Sequence, residues 1–234
     1  MEKMADNLEK FHFNSGISLT ELTPELHQKL WADASTIHLK KKEVLYLQGT
    51  FPKGVYMLKE GKLKIYQRNY DGTHQILFIY KEGELFGYRP ILSNEVHPVS
   101  AEALEKCSLV LFDKNAFLEI IDQSPAFSRQ LLRSLSHEFT VLTYRLNAYA
   151  QKSISQRLAL ALLILNQKFY RSNQTYPYAE ITLIRTDLAN FVGTSLETLI
   201  RNLKILNAGK IITINGKTIR ITDYQKLVDI SSIG

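Results

Sequence analysis

The period of the hydrophobic positions changes along this 234-residue chain, and the changes mark out its elements. From about His38 to Phe112 apolar residues come in short runs: VLYLQG (44–49), VYMLKEG (55–61), KLKIYQR (62–68), HQILFIY (74–80) and SLVLF (108–112). Gly49, Gly54, Gly61, Gly72 and Gly83 lie among them. Short β-type runs punctuated by glycine predict a β-sandwich or jelly-roll barrel, with a hairpin at Asp71-Gly72. Residues 1–36 read as helical, with Thr23 as N-cap, Pro24 at the first helical position, and Leu26, Leu30 and Trp31 on one face.

Beyond Phe112 the period becomes helical. A first piece covers Lys114 to Ile121, and Ser124-Pro125 supplies the cap and first residue of a longer helix. There Leu131, Leu135, Phe139, Leu142, Leu146 and Tyr149 follow at steps of 4, 4, 3, 4 and 3. The later steps form a heptad seam suited to a two-stranded coiled coil. The alternative is a stripe that packs on the barrel. Ser153 to Phe169 predicts a further helix, and the polar stretch 171–180 a surface loop.

The stretch from Arg185 to Lys217 carries the most chemistry. A helix (Arg185 to Val192), a turn at Gly193-Thr194, a second helix (Ser195 to Leu206) and an Asn215-Gly216 hairpin spell a winged helix-turn-helix. Leu188, Ala189, Val192, Leu199, Leu203 and Leu206 fall on the inner faces. Thr194 to Glu197 fits a capping box, Asn207-Ala-Gly209 ends the helix, and the hairpin suits a type I′ turn. Such a second helix lies in the major groove of DNA. Glu197 is placed to accept from a cytosine amino group, and Arg201 to donate twice to a guanine. Arg185, Ser195, Thr198, Lys204 and Lys217 suit phosphates, which position without specifying. The plainer readings are a helix-capping Glu197 and a solvated Arg201.

Composition sharpens this picture. Residues 150–234 hold 11 Lys/Arg against 5 Asp/Glu, whereas residues 1–149 hold 18 of each. The whole surplus of +6 therefore lies in the helix-turn-helix region, as phosphate neutralisation favours. Cys107 is the single cysteine, which excludes an internal disulfide and a cluster held by several cysteines of one chain. The charged N-terminus lacks the apolar core of a signal peptide, and no run of about 18 apolar residues suggests a membrane span. A cytoplasmic protein with no membrane partner is expected. The six histidines lack the His-x-His spacing that a cupin-like metal enzyme requires, so no metal site and no catalytic residue is assigned.

At these residues the chain resembles the Crp–Fnr family. VGTSLETLIR (192–201) is similar to the family's V-G-x-S-R-E-T-x-x-R signature, NGKTIRI to its wing, and Gly61 and Gly83-Glu84-Leu85-Phe86-Gly87 to its β-roll glycine marks. The resemblance implies an α+β fold with an N-terminal cyclic-nucleotide-binding-type β-roll (residues 1–124), a long dimerisation helix and hinge (125–150) and a C-terminal winged helix-turn-helix (151–234). It implies a homodimeric transcription regulator that reads a pseudo-palindromic double-stranded DNA site and acts on RNA polymerase. Base readers would be Glu197 and Arg201, with Arg185 on a phosphate.

Two departures stand out. Leu196 replaces the family's arginine between the Ser and the Glu, which trades a guanine donor for a group that can touch a thymine methyl. Cyclic-nucleotide-binding members follow the Gly-Glu element with an Arg-Ser or Arg-Thr pair: the Glu holds the ribose and the Arg the cyclic phosphate. An ungapped count to Cys107 puts His97-Pro98 there. Pro98 has no N–H, and a neutral His97 leaves a buried phosphate without a permanent cation. Cyclic AMP is therefore not expected to bind, although Arg89 keeps that alternative open. An unidentified small effector, or none, is expected in a pocket of Gly83, Glu84, Leu85, Phe86, Arg89, His97 and Pro98, with Thr143 and Tyr144 closing over it. Haem at His74, His97 or Cys107 and thiol sensing at Cys107 are disfavoured. A cyclic-nucleotide-binding regulatory protein acting on a protein partner is the remaining alternative.

Overall fold

Strand β3 (Gly54–Glu60) is closed to solvent at five of its seven positions, which requires cover on both faces. The structure, a computed structural model, describes residues 7–171 and 176–233 and supplies both covers. On one side Val55 and Met57 join Val110 and Phe112 of β8 (Cys107–Asp113) beneath Leu30, Phe117, Ile120, Phe127 and Leu131. These come from helices α1 (Pro24–Ala32), α3 (Lys114–Gln123) and α4 (Pro125–Gln151). On the other side the Tyr56 ring meets Tyr46 of β2 (Val44–Tyr46), which belongs to a second sheet.

The two antiparallel sheets make the roll. One has the order β1-β8-β3-β6, with β1 at Ser35–Leu39 and β6 at Leu85–Phe86. The other is β2-β7-β4-β5, with β7 at Ser100–Ala103, β4 at Lys62–Arg68 and β5 at His74–Lys81. Helix α2 is short (Arg89–Ser93). The turn between β3 and β4 needs Gly61: its φ is +93°, and a Cβ there would sit 2.5 Å from the Lys106 carbonyl oxygen. Residues 1–36 are less helical than the sequence suggests. Residues 12–18 form no helix, and β1 begins at Ser35, because a β-branched edge strand completes the sheet on β8. The 44–49 run is a strand only to Tyr46.

The chain divides into two compact units, Asn14–Glu138 and Phe139 onward together with the segment through Phe13. This differs from the expected boundaries at 124/125 and 150/151. In the second unit α5 (Ile154–Phe169) is the buried centre, started by a reciprocal capping box between Ser153 and Gln156. Helices α6 (Arg185–Val192) and α7 (Leu196–Ala208) follow, then strands β10 (Ile212–Asn215) and β11 (Thr218–Ile221) and helix α8 (Tyr224–Ser231). The wing sheet has the order β10-β11-β9, with β9 at Ile181–Thr182. Of the expected loop 171–180, residues 172–175 lie outside the described residues. Among the described residues no helix is long and apolar enough to cross a membrane.

Candidate nucleic-acid interface and effector pocket

Gly193 makes the helix-turn-helix turn. Its φ of +73° is left-handed, and its N–H and that of Thr194 both donate to the Ala189 carbonyl, closing α6. The chain then re-enters a helix at Ser195, whose side chain accepts from the Thr198 N–H at 3.2 Å. The N-cap is therefore Ser195, and the Thr194–Glu197 capping box does not form. The shift leaves Glu197 clear of a capping bond to Thr194 and in the first turn of α7, where the helix dipole favours an acid.

Leu199, Leu203 and Leu206 are buried, so the opposite face is fixed: Ser195, Leu196, Glu197, Arg201 and Lys204 are all exposed. Ile200, exposed and four residues after Leu196, shares that face. Sequence reasoning missed Ile200, although its offset from the inner leucines signals it. Ser195 and Thr198 also share a hydroxyl–hydroxyl bond of 3.0 Å.

The wing turn differs from expectation. Asn215 pairs with Thr218, so the two-residue loop is Gly216-Lys217, and only Gly216 has a positive φ (+56°). A type I′ turn needs two positive φ values, so this hairpin is not one. Arg185 secures it, donating to the carbonyls of Gly216 at 2.9 Å and Lys217 at 3.1 Å. Burial holds its pKa below the usual arginine range. Arg185 thus positions the wing, while Lys217 stands exposed at the tip.

In the roll, Gly83 donates to the Leu58 carbonyl, and Glu84 folds back to accept from the Lys81 N–H at 2.7 Å. Leu85 and Phe86 are buried in β6. The His97 ring is buried and stacked on Tyr46 at 3.8 Å between centroids and 10° between planes. Burial pushes its pKa down to about 4, the opposite of what an anion-binding imidazole needs. Pro98 is exposed. Arg89 pairs at 3.0 Å with the buried Glu138 of α4, beside a Tyr88 hydroxyl bonded to Ser134. Cys107 is buried with its Sγ donating to the Lys62 carbonyl, and burial raises its pKa, away from the reactive thiolate. Thr143 and Tyr144 lie in the second unit, where Thr143 donates to Phe139 and Tyr144 packs edge-on against Phe11.

On the long helix, Leu131 is 3% exposed in the roll core and does not belong to a free seam. The most exposed apolar positions are Leu132 (65%), Phe139 (72%) and Leu146 (71%), seven residues apart. Leu135, Leu142 and Tyr149, each three residues later, are half-buried.

Residues 36–124 match the cyclic nucleotide-binding domain family, and residues 156–230 the Crp-like helix-turn-helix domain family. The transcriptional activator protein Anr of Pseudomonas protegens is 29% identical over 81% of this chain and 77% of its own length. The fumarate and nitrate reduction regulatory protein of Vibrio cholerae is 24% identical over 83% of this chain and 78% of its own. The chain belongs to the Crp–Fnr family. This Crp–Fnr member is a DNA-binding transcription regulator. Its fold is that of FixK2 from Bradyrhizobium japonicum, with a TM-score of 0.76 at 22% identity, covering 85% of this chain and 98% of that one.

Proposed function

We propose that this regulator binds DNA as a homodimer, reads its site through the exposed face of α7, and does not respond to cyclic AMP. The outward face of Leu196, Glu197, Ile200 and Arg201 is the observation that carries the reading. Glu197 and Arg201 accept from and donate to base edges. Leu196 and Ile200 meet thymine methyls. Ser195, Thr198, Lys204 and Lys217 contact phosphates, and Arg185 holds the wing that presents Lys217. The heptad of Leu132, Phe139 and Leu146 with Leu135, Leu142 and Tyr149 supports pairing of two copies along α4. Two helices so paired would address half-sites about 34 Å apart. The position of the site then decides whether RNA polymerase is recruited or blocked. The protein acts in the cytoplasm, without a catalytic role of its own.

The buried neutral His97, and an Arg89 already paired to Glu138, support the absence of a cyclic-nucleotide response. Any effector would therefore differ from cyclic AMP, with Thr143 and Tyr144 as candidates for sensing it. Selection from random DNA is the direct test: a two-fold-related motif is expected, and a single unpaired motif would overturn the dimeric reading. Calorimetry with cyclic AMP should give no saturable heat; micromolar affinity would sink that part.

A further inference from the structure

Only two residues, Lys152 and Ser153, join α4 to α5. Even so short a link leaves soft backbone torsions about which the helix-turn-helix can swing on the end of α4. Arg157 spans that link from the start of α5. Its own root is fixed, because the Ser153–Gln156 capping box begins the helix and the Arg157 N–H donates to the Ser153 carbonyl at 2.9 Å. From there Nη1 reaches back to the Tyr149 carbonyl at 3.2 Å, and Nη2 reaches across to the Gly193 carbonyl at 3.0 Å. Tyr149 lies in the last turn of α4, where carbonyls run out of N–H partners within the helix. Gly193 is the left-handed residue that turns the chain from α6 toward the reading helix α7. With both Nη atoms on carbonyls and Nε closed to solvent, this guanidinium holds backbone rather than phosphate.

We propose that Arg157 is the positioning residue that fixes the angle between the end of the dimer helix and the reading helix, and thereby the half-site spacing that the dimer accepts. This rests on the dimeric reading. A guanidinium is planar and its N–H groups point in fixed directions, so two carbonyls on one fork are held in both separation and orientation. The other bond between the same parts, from the Tyr149 hydroxyl to the Phe191 carbonyl at 3.0 Å, is a single contact about which the joint can rotate. Spacing is sensitive to such an angle. One added base pair turns a half-site by about 35° round the DNA axis and moves it about 3.4 Å along it. A braced pair of reading helices cannot follow that change. An unbraced pair can, but must order the joint each time it binds.

Binding of the full chain to a panel of duplexes tests this. The panel carries the selected two-fold motif at its selected separation, the same half-sites moved by one or two base pairs, and a single half-site. The unaltered protein should prefer the selected separation by about tenfold or more. Arg157→Gln should cut that preference to about twofold and weaken the best site about tenfold, with single half-site affinity unchanged. Arg157→Lys keeps the charge without the fork, and should lose the preference too. Arg220→Gln breaks an ion pair with Glu180 in the same unit, and should keep it. A spacing preference retained by either folded Arg157 variant would overturn the proposal. So would its loss in Arg220→Gln, or an equal weakening on the single half-site, which would mark a damaged reading surface. Indifference to spacing in the unaltered protein is a different failure: it would overturn the dimeric reading itself, and the role of Arg157 with it.

Discussion

His97, which an ungapped count to Cys107 sets at the cation position of the family's cyclic-nucleotide binders, is packed flat on Tyr46 and stays neutral near pH 7. The unfolded chain takes up a proton near the ordinary histidine pKa of 6.5, whereas the folded protein resists protonation of His97 down to about 4. Below 6.5 the unfolded state therefore binds more protons. The contribution is fully present above pH 6.5 and is lost as pH falls toward 4, on the order of 2 kcal/mol. Urea unfolding at pH 7.5 and 4.5 should show this loss against His97→Phe, which keeps a ring on Tyr46 without the proton; equal pH losses in both proteins would refute it. Leu196 poses the second question at this scale. A leucine four residues before Ile200 presents methyl groups where an arginine would present donors, so Leu196→Arg should move the selected DNA motif toward guanine at one position per half-site. Selection from random sequences checks it, and an unchanged motif removes Leu196 from base reading. Glu197 and Arg201 were legible because their offset from buried leucines fixes their face. The role of Arg185 was not, because its partners Gly216 and Lys217 lie 31 and 32 residues away. Only the folded wing brings them together.

At the scale of elements, the long helix separates two neighbours that composition cannot. Leu131 and Leu132 are chemically identical, and each precedes Leu135 at a helical spacing, of four and of three residues. The roll decides: Phe117, Ile120 and Phe127 surround Leu131, which turns Leu132, Phe139 and Leu146 outward. Phe139→Glu with Leu146→Glu should therefore give monomers by light scattering, with the roll intact and DNA affinity strongly reduced. Leu131→Ala should leave the dimer assembled while costing about 2–5 kcal/mol of stability, because it opens a cavity in a packed core. The reverse pattern, a monomer from Leu131→Ala and a dimer from the double glutamate variant, would restore the Leu131 seam. The period of this helix was legible in the sequence and its rotation was not. Rotation is set by side chains from α1, α3 and the sheet, all distant in sequence. The wing shows the same limit. Asn215-Gly216 announces a hairpin, but the pairing of Asn215 with Thr218 moves the turn by one residue.

Over the whole molecule, the partition of the chain departs furthest from its linear order. Residues 7–13 fold with the helix-turn-helix unit and not with the roll that follows them in sequence. Leu8, Phe11 and Phe13 are buried there, and two cations hold the segment by its backbone: Arg145 on the Phe11 carbonyl at 3.0 Å and Lys168 on the Phe13 carbonyl at 2.9 Å. Nothing local announces this, since the segment's partners lie more than 130 residues away in sequence. Removing residues 1–13 would withdraw three apolar side chains and two carbonyl acceptors from buried positions. Offset by the chain entropy released, the loss is about 3 kcal/mol, confined to the second unit. The single tryptophan makes the claim measurable. Trp31 belongs to the roll, packed edge-on against Phe112, so its fluorescence reports that unit alone. In the truncated protein the helical circular-dichroism signal should begin to fall at lower urea, while the Trp31 transition keeps its midpoint. DNA binding, which needs the second unit folded, should fail along the circular-dichroism curve. A Trp31 midpoint that moves in step with the helical signal would show that the segment supports the roll as well, and that the two units unfold as one.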